Sequence, residues 1–514
     1  PAAGRPLCGA PQAFRTLKRA SLLIGLFLAL AMAVPSLSVA RPFHTGFVDN
    51  HAFVFSDSKT SNGWLEKARN SGASFVRLNV HWNTVAPTKR PAGFNPSSPA
   101  SPGYNWSLVD QSVKAVVNHG MVPILMAFQA PKWAEGPNRD PSLNEDAYAG
   151  VWKPDPDQFA HFGKALALRY NGKFPDPAMP GKNLPKVKYL QAWNEPNLNY
   201  YLAPQSKGGR AISPNLYQPL LNKFYAAVKS VEPDAQVLSA GLAPLGSIDN
   251  VAVAPLEFLR TLTCLKRNLR LKKPCNRYMR ADIFDQHLYT SGGPTHKAGG
   301  VDEVGLGDLP ELRRTLRVAD RYNRIKGKFK WTKLFSTEFS WDTVPDPGGL
   351  PMPLAKRWVA EALFRMWQSG ITVMTWQGIV DQAYPDPGDE WLWQYTVQSG
   401  FFFYSANPNK AVKKGSYYAF RFPFVAFKTP RGIRIWGRTP NSKGGKIRIQ
   451  QNYGSGWRRK IVVRADKSGI FSKTFRSRRQ VGRLRAIYGN SYSVPFSLKR
   501  VPDRFVRPFG GLDD

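Results

Sequence analysis

A chain of 514 residues with 42% hydrophobic and 21% charged side chains is too long for one compact domain and too apolar for general disorder. It suits a barrel of about 250–400 residues plus one smaller module. The net charge of +37 bears on solubility and on attraction to polyanions, and leaves the reaction chemistry open.

Residues 1–40 read as a secretory signal. Arg15, Lys18 and Arg19 form a basic start, Ser21 to Ala33 an apolar run, and Ser38-Val39-Ala40 a small-residue cleavage site. The run is too short and wrongly flanked for a membrane span, and no later stretch approaches one. The mature protein is therefore expected to be secreted, with no membrane span after cleavage. Loss of Cys8 with the signal leaves Cys264 and Cys275, an even pair in an oxidising compartment, expected to form a disulfide around residues 265–274.

From 41 to 430, short β-rich apolar runs alternate with amphipathic ones. Strands are predicted at His44–Asp49, Ser74–Val80, Val122–Phe128, Val187–Trp193, Gln236–Ala240, Ile283–His287, Lys333–Thr337 and Thr372–Trp376. Helical patterns fall between them at Leu108–Asn118, Gln158–Tyr170, Leu216–Val231, Leu309–Arg324 and Leu354–Gln368, and Tyr417–Phe422 fits a closing helix. Asp155-Pro156 and Ser213-Pro214 look like helix caps. Eight such alternations predict an α/β protein with a (β/α)8 TIM barrel. An open doubly wound sheet is disfavoured because no strand runs into a Gly-rich phosphate turn. After Pro430 the pattern becomes short alternating runs split by Gly, Asn and Ser, which predicts a small C-terminal β-sandwich over 431–500, followed by a tail over 501–514. Residues 431–507 hold 21 Lys or Arg against Asp466 and Asp503.

Two glutamates end apolar runs. Glu195 closes Tyr189-Leu190-Gln191-Ala192-Trp193-Asn194-Glu195-Pro196 at the end of the fourth strand, where Pro196 is expected to stop the ladder and hold Glu195 extended. Glu338 closes the seventh strand in Lys333-Leu334-Phe335-Ser336-Thr337-Glu338. An eight-stranded barrel has a radius of roughly 8 Å, so strands four and seven face each other across about 14 Å. Each side chain reaches about 4 Å inward, which leaves roughly 5–6 Å between the carboxyl groups. That gap matches a retaining glycosidase better than an inverting one, whose carboxylates stand about 6.5–9.5 Å apart.

Asn194-Glu195-Pro196 on strand four with Glu338 on strand seven resembles the retaining clan A of glycoside hydrolases, the barrel clan that includes cellulases, β-xylosidases and β-galactosidases. The resemblance covers about residues 43–425. It implies that Glu195 is the general acid/base, Glu338 the nucleophile, and Asn194 a partner of the substrate 2-hydroxyl. Arg77, in Phe75-Val76-Arg77-Leu78-Asn79, matches the clan's strand-two arginine, and a guanidinium there would keep Glu338 ionised. Asp285-Gln286-His287-Leu288-Tyr289 resembles the clan's His-x-Tyr pattern. It implies Tyr289 on the nucleophile and His287 on a substrate hydroxyl. Trp376 is implied as a floor for the sugar, with Trp82 and Trp133 as flanking platforms.

The function expected is a secreted retaining glycoside hydrolase acting on oligo- or polysaccharide by double displacement. No cofactor or metal is expected: the histidines lack zinc-site spacing, and there is no calcium loop, phosphate loop or Gly-x-Ser-x-Gly elbow. The alternative is an inactive barrel that binds carbohydrate or cell wall. Nucleic acid is not an expected partner, since the basic module has few aromatics and no groove-reading helix. Its charge is instead expected to meet anionic cell wall.

Overall fold

The computed structural model describes residues 41–144, 148–247, 251–386 and 388–505. The expected signal at 1–40 and the end of the expected tail, 506–514, lie outside them. No helix among the described residues is long and apolar enough to cross a membrane.

Eight parallel strands close on themselves: β1 (His44–Val48), β2 (Phe75–His81), β3 (Val122–Phe128), β4 (Tyr189–Ala192), β5 (Gln236–Leu242), β6 (Ile283–Gln286), β7 (Lys333–Ser336) and β8 (Ile371–Gln377), with β8 paired back to β1. Each is followed by a helix: α1 (Ser58–Asn70), α2 (Ser107–Asn118), α3 (Pro156–Arg169), α4 (Ser213–Val231), α5 (Pro255–Leu262), α6 (Leu309–Arg321), α7 (Met352–Gln368) and α8 (Gly415–Arg421). The fold is the expected (β/α)8 barrel.

Local chemistry explains the helix starts. Asp155 caps α3 as expected, its carboxylate accepting from the amides of Asp157 and Gln158. Ser213 does not cap α4; it lies within the helix and its Oγ donates to Gln205 Oε1 at 2.8 Å, a buried partner that outcompetes the backbone. Helix α1 was not predicted, because its polar sequence buries only a narrow stripe of Ser61, Trp64, Leu65 and Ala68; Asp57 starts it by accepting from Lys59 and Thr60.

The barrel interior is layered. Phe75, Ile124, Leu238, Ile283, Phe335 and Val373, with Tyr189 against them, form an apolar plug separate from the shell between strands and helices. Side chains two residues on share a face. The next inward layer accordingly holds Arg77, Gln191, Asp285, Thr337 and Thr375, all buried and polar, alongside Met126.

The C-terminal module is two packed sheets. Strands β9 (Phe424–Thr429), β10 (Gly432–Arg438) and β13 (Ile470–Phe475) make one; β11 (Gly445–Asn452), β12 (Trp457–Ala465), β14 (Arg483–Tyr488), β15 (Ser491–Tyr492) and β16 (Phe496–Ser497) make the other. The first sheet begins at Phe424, before position 431, because Pro430 sits in a hairpin turn between paired strands. Trp436 packs on Phe43, Phe364 and Trp367, and buried Arg438 donates to Thr45 Oγ1 at 2.9 Å, so barrel and module share one core. In the segment expected as a tail, Asp503 accepts from the Gly293 amide at 2.5 Å and bonds His296 Nδ1 at 2.7 Å.

Candidate active site

The polar layer inside the barrel supports the groups above it. Arg77 is fully buried on β2 and uses all three sides of its guanidinium. Nε donates to Gln191 Oε1 at 3.0 Å, Nη2 to Asn194 Oδ1 at 2.6 Å, and Nη1 to Glu338 Oε1 in a short ion pair. Tyr289 Oη donates to the other oxygen of Glu338, Oε2, at 3.1 Å. Glu338 is thereby gripped at both oxygens, one by a cation. Below, Gln191 Nε2 donates to Asp285 Oδ2 at 2.6 Å, and Asp285 Oδ1 accepts from the Thr337 amide at 3.0 Å. The Thr337 hydroxyl also donates to Asp285, and the Thr375 hydroxyl donates to the Thr337 carbonyl. Every member of this network has a partner, as a buried polar layer requires.

Glu195 faces this assembly. Its Oε1 lies 2.6 Å from His287 Nδ1, which is itself 3.6 Å from Glu338 Oε2. Donor atoms of Glu195, His287 and Glu338 all lie within 4.8 Å of one another. Glycine creates room for the imidazole: a Cβ on Gly241 of β5 would stand 2.1 Å from His287 Nε2. Glu195 is not extended, contrary to the expectation from Pro196. Its φ is 32° and that of Trp193 is 80°. The chain turns at the strand end, with the Glu195 amide donating to the Gly241 carbonyl at 3.0 Å and the Leu198 amide to the Glu195 carbonyl at 2.9 Å. The bond to Gly241 and the turn bond from Leu198 hold Glu195 in a sparsely populated region of backbone space, and Trp193 is held by its amide donating to the Ala127 carbonyl at 2.9 Å.

The two carboxylates are driven apart in acidity. Burial raises Glu195 above the usual carboxylate range, and the charge of Glu338 adds to this against the opposing pull of His287. Burial also disfavours the Glu338 charge, but His287 and Arg77 outweigh it and hold that carboxyl below its ordinary value. Burial disfavours the His287 cation, yet the charges of Glu338 and Glu195 raise its affinity for a proton overall. The arrangement favours the charged form of Glu338 and the protonated forms of Glu195 and His287.

Arg77, Asn194, Glu195, His287, Tyr289 and Glu338 are thus brought together as expected, with one change of partner. His287 is fully buried and bonded to Glu195, so it orients the acid and does not reach a substrate hydroxyl. The three tryptophans are elsewhere. Trp376 is 1% exposed, its N–H donates to the Ser399 carbonyl, and Phe401 and Phe339 cover its ring. Trp82 is 0% exposed and stacks on Phe162. Trp133 is partly buried, donates to the Pro87 carbonyl and lies under Arg90. Trp82 and Trp376, sealed this way, are packing residues and offer no face to a ligand.

The missed residues are Gln191, Asp285 and Thr337, recoverable as inward neighbours two positions from known inward residues, and Tyr201. Burial and the charges of Glu195 and Glu338 raise the Tyr201 phenol, which also bonds the Asn194 side chain. Past β8, Trp391 and Tyr395 are 62% and 67% exposed in a short helical turn, Glu390–Tyr395. The base of this loop is tied down where Lys414 meets Asp381 in a fully buried ion pair and donates to the Gln398 carbonyl. Gln398 donates its amide to Asp342, four residues after Glu338. The expected bridge is present: Cys264 and Cys275 form a disulfide. Glu195, His287 and Glu338 are ligand types for a metal, but Arg77 already places a fixed cation against Glu338, and a divalent ion there would be repelled.

Fold and site define a parallel α/β barrel whose mouth holds two carboxylates, one with its proton affinity raised and one with it lowered. No protein-family model matches the chain, and no curated protein matches it. Solved structures with a similar fold include a family 39 glycoside hydrolase from Bacteroides cellulosilyticus WH2, with 14% identity, a TM-score of 0.49, and 85% of this chain and 81% of that chain covered. A glucosidase from Croceicoccus marinus aligns at 14% identity and TM-score 0.45 over 85% of this chain and 93% of that one. SrfJ from Salmonella typhimurium aligns at 11% identity and TM-score 0.45 over 85% and 90%.

Proposed function

We propose that this protein is a secreted retaining glycoside hydrolase that cleaves O-glycosidic bonds of an oligo- or polysaccharide. The observation that carries the reading is the approach of Glu195 and Glu338 to within 4.8 Å, oxygen to oxygen, with acidities split in opposite directions. Retaining enzymes hold their carboxyl groups about 5–5.5 Å apart, and carboxylates this close fall short of the roughly 6.5–9.5 Å that an inverting pair needs to admit a water beside the sugar. Glu338, kept ionised by Arg77 and Tyr289, attacks the anomeric carbon. Glu195 gives its proton to the departing glycosidic oxygen, so the bond breaks as a neutral alcohol leaves. Glu195, now a base, takes a proton from water; the water oxygen bonds to the anomeric carbon and Glu338 departs as carboxylate. His287 holds Glu195 in place throughout, and Asn194, its Oδ1 engaged by Arg77 and one amide N–H by Tyr201, gives its other N–H to the 2-hydroxyl. Exposed Trp391 and Tyr395 supply the apolar faces for sugar rings that the buried tryptophans do not.

A panel of aryl glycosides and polysaccharides, followed by proton NMR of the first anomer released, tests this. Release of the anomer with unchanged configuration supports it; inversion refutes the double displacement. Binding to carbohydrate without cleavage across the panel would favour the inactive-barrel alternative.

A further inference from the structure

Outside the barrel mouth, charge gathers on the open face of the five-stranded sheet. Residues directly opposite in an antiparallel pair project to the same side. The register sets Lys446 opposite Arg464, Gln450 opposite Arg459 on one side and Arg485 on the other, and Asn452 opposite Trp457 and Arg483, with Arg448 in the row between. The alternate residues Ile447, Ile449, Val463, Leu484 and Ala486 are buried against the other sheet. Six cations therefore share the outer face: Lys446, Arg448, Arg459, Arg464, Arg483 and Arg485.

No carboxylate on their own strands balances them. The five strands contain no Asp or Glu, and none of the six is ion-paired among the described residues. Like charges placed opposite each other weaken a sheet, so this arrangement costs stability without an internal return. One member is also fixed in place. The Arg485 guanidinium lies 4.2 Å from the Trp457 ring centroid and 4.8 Å from that of Tyr492, and its Nε donates to Gln450 Oε1 at 2.9 Å. Its two terminal nitrogens are left as a pre-oriented fork, the geometry that matches a carboxylate. From Lys446 to Asn452 the face runs about 20 Å along the strand, long enough for several units of an extended polymer.

We propose that this face binds a linear polysaccharide that carries carboxylates, and so holds the barrel to an acidic polymer. The choice of a polysaccharide over another polyanion rests on the glycosidase reading of the barrel. It is favoured further because Arg485 already occupies a face of both Trp457 and Tyr492, which a nucleobase would need for stacking.

Full-length Glu338→Gln protein, which cannot complete turnover under the mechanism above, separates binding from hydrolysis. It is titrated with polygalacturonate at about 0.15 M salt, alone, with Arg448→Glu/Arg464→Glu, and with Lys473→Glu/Arg476→Glu. The last pair changes the net charge equally on and just beyond β13 of the other sheet. The face double variant is expected to bind at least tenfold more weakly, and the control less than twofold, with both melting like the parent. Equal losses in the two variants would reduce the effect to net charge and overturn the proposal. So would absence of polygalacturonate binding, or binding to polyphosphate or duplex DNA as tight as to polygalacturonate. If wild-type protein cleaves no sugar while the variant pattern holds, the barrel reading fails alone and the docking face stands.

Discussion

The barrel and the C-terminal module treat charge in opposite ways. In the barrel, Arg77, Glu338, Glu195 and His287 are enclosed, each within reach of a partner, and their proton affinities are set by burial and neighbours. On the module, six cations share one outer face, five of them exposed, with no carboxylate on their strands. Enclosed charges interact strongly and ignore bulk salt; exposed ones interact weakly with each other and respond to it. The difference teaches where chemistry and where association are to be sought in one chain.

The comparison is broken most sharply at the enclosed end. Glu338→Gln removes the ionised carboxylate and is expected to lower kcat by about 10⁴-fold or more while the protein stays folded; a steady-state assay and a melt check both parts. Lys414→Met leaves Asp381 buried without its cation, and should cost about 3–5 kcal/mol of stability in denaturant unfolding. A loss below about 1 kcal/mol would mean that this pair is not sealed from water.

Tyr289→Phe removes a hydrogen bond to the charged Glu338 and should slow turnover about tenfold or somewhat more. It also bears on pH. Glu338 is held low, so activity fails on the acid side as it protonates; Glu195 is raised, so activity fails on the basic side as it ionises. Loss of the Tyr289 donor raises Glu338 and should move the acid limb to higher pH, leaving the basic limb nearly in place. The smallest effect belongs to the open sheet: Arg448→Glu with Arg464→Glu should change folding stability by no more than about 0.5 kcal/mol. A large loss there would show that those cations are structural.

Much of this was legible beforehand, for reasons visible in particular residues. The eight strands announce themselves as apolar runs, and Glu195 and Glu338 stand at the ends of two of them. Trp82 and Trp376 were misplaced because proximity to a strand end was used where parity decides. Val373 points into the barrel plug, so Thr375 does too and Trp376 points out. Likewise Phe75 and Arg77 face in, and Trp82 falls on the opposite side. His287 changed partner because Gly241, on a different strand, opens the space that lets its ring reach Glu195, a tertiary fact with no local signal. The turn at Glu195 was hidden for the same reason, since the bond from its amide to Gly241 overrides the preference imposed by Pro196.

The central claim is that Glu338 forms a covalent bond to sugar. Incubation with a 2-deoxy-2-fluoro glycoside of the preferred sugar, then intact mass and peptide mapping, tests it directly. The account predicts one added glycosyl mass, located on Glu338. Turnover of that sugar with no adduct, or an adduct on a different carboxylate, would contradict it.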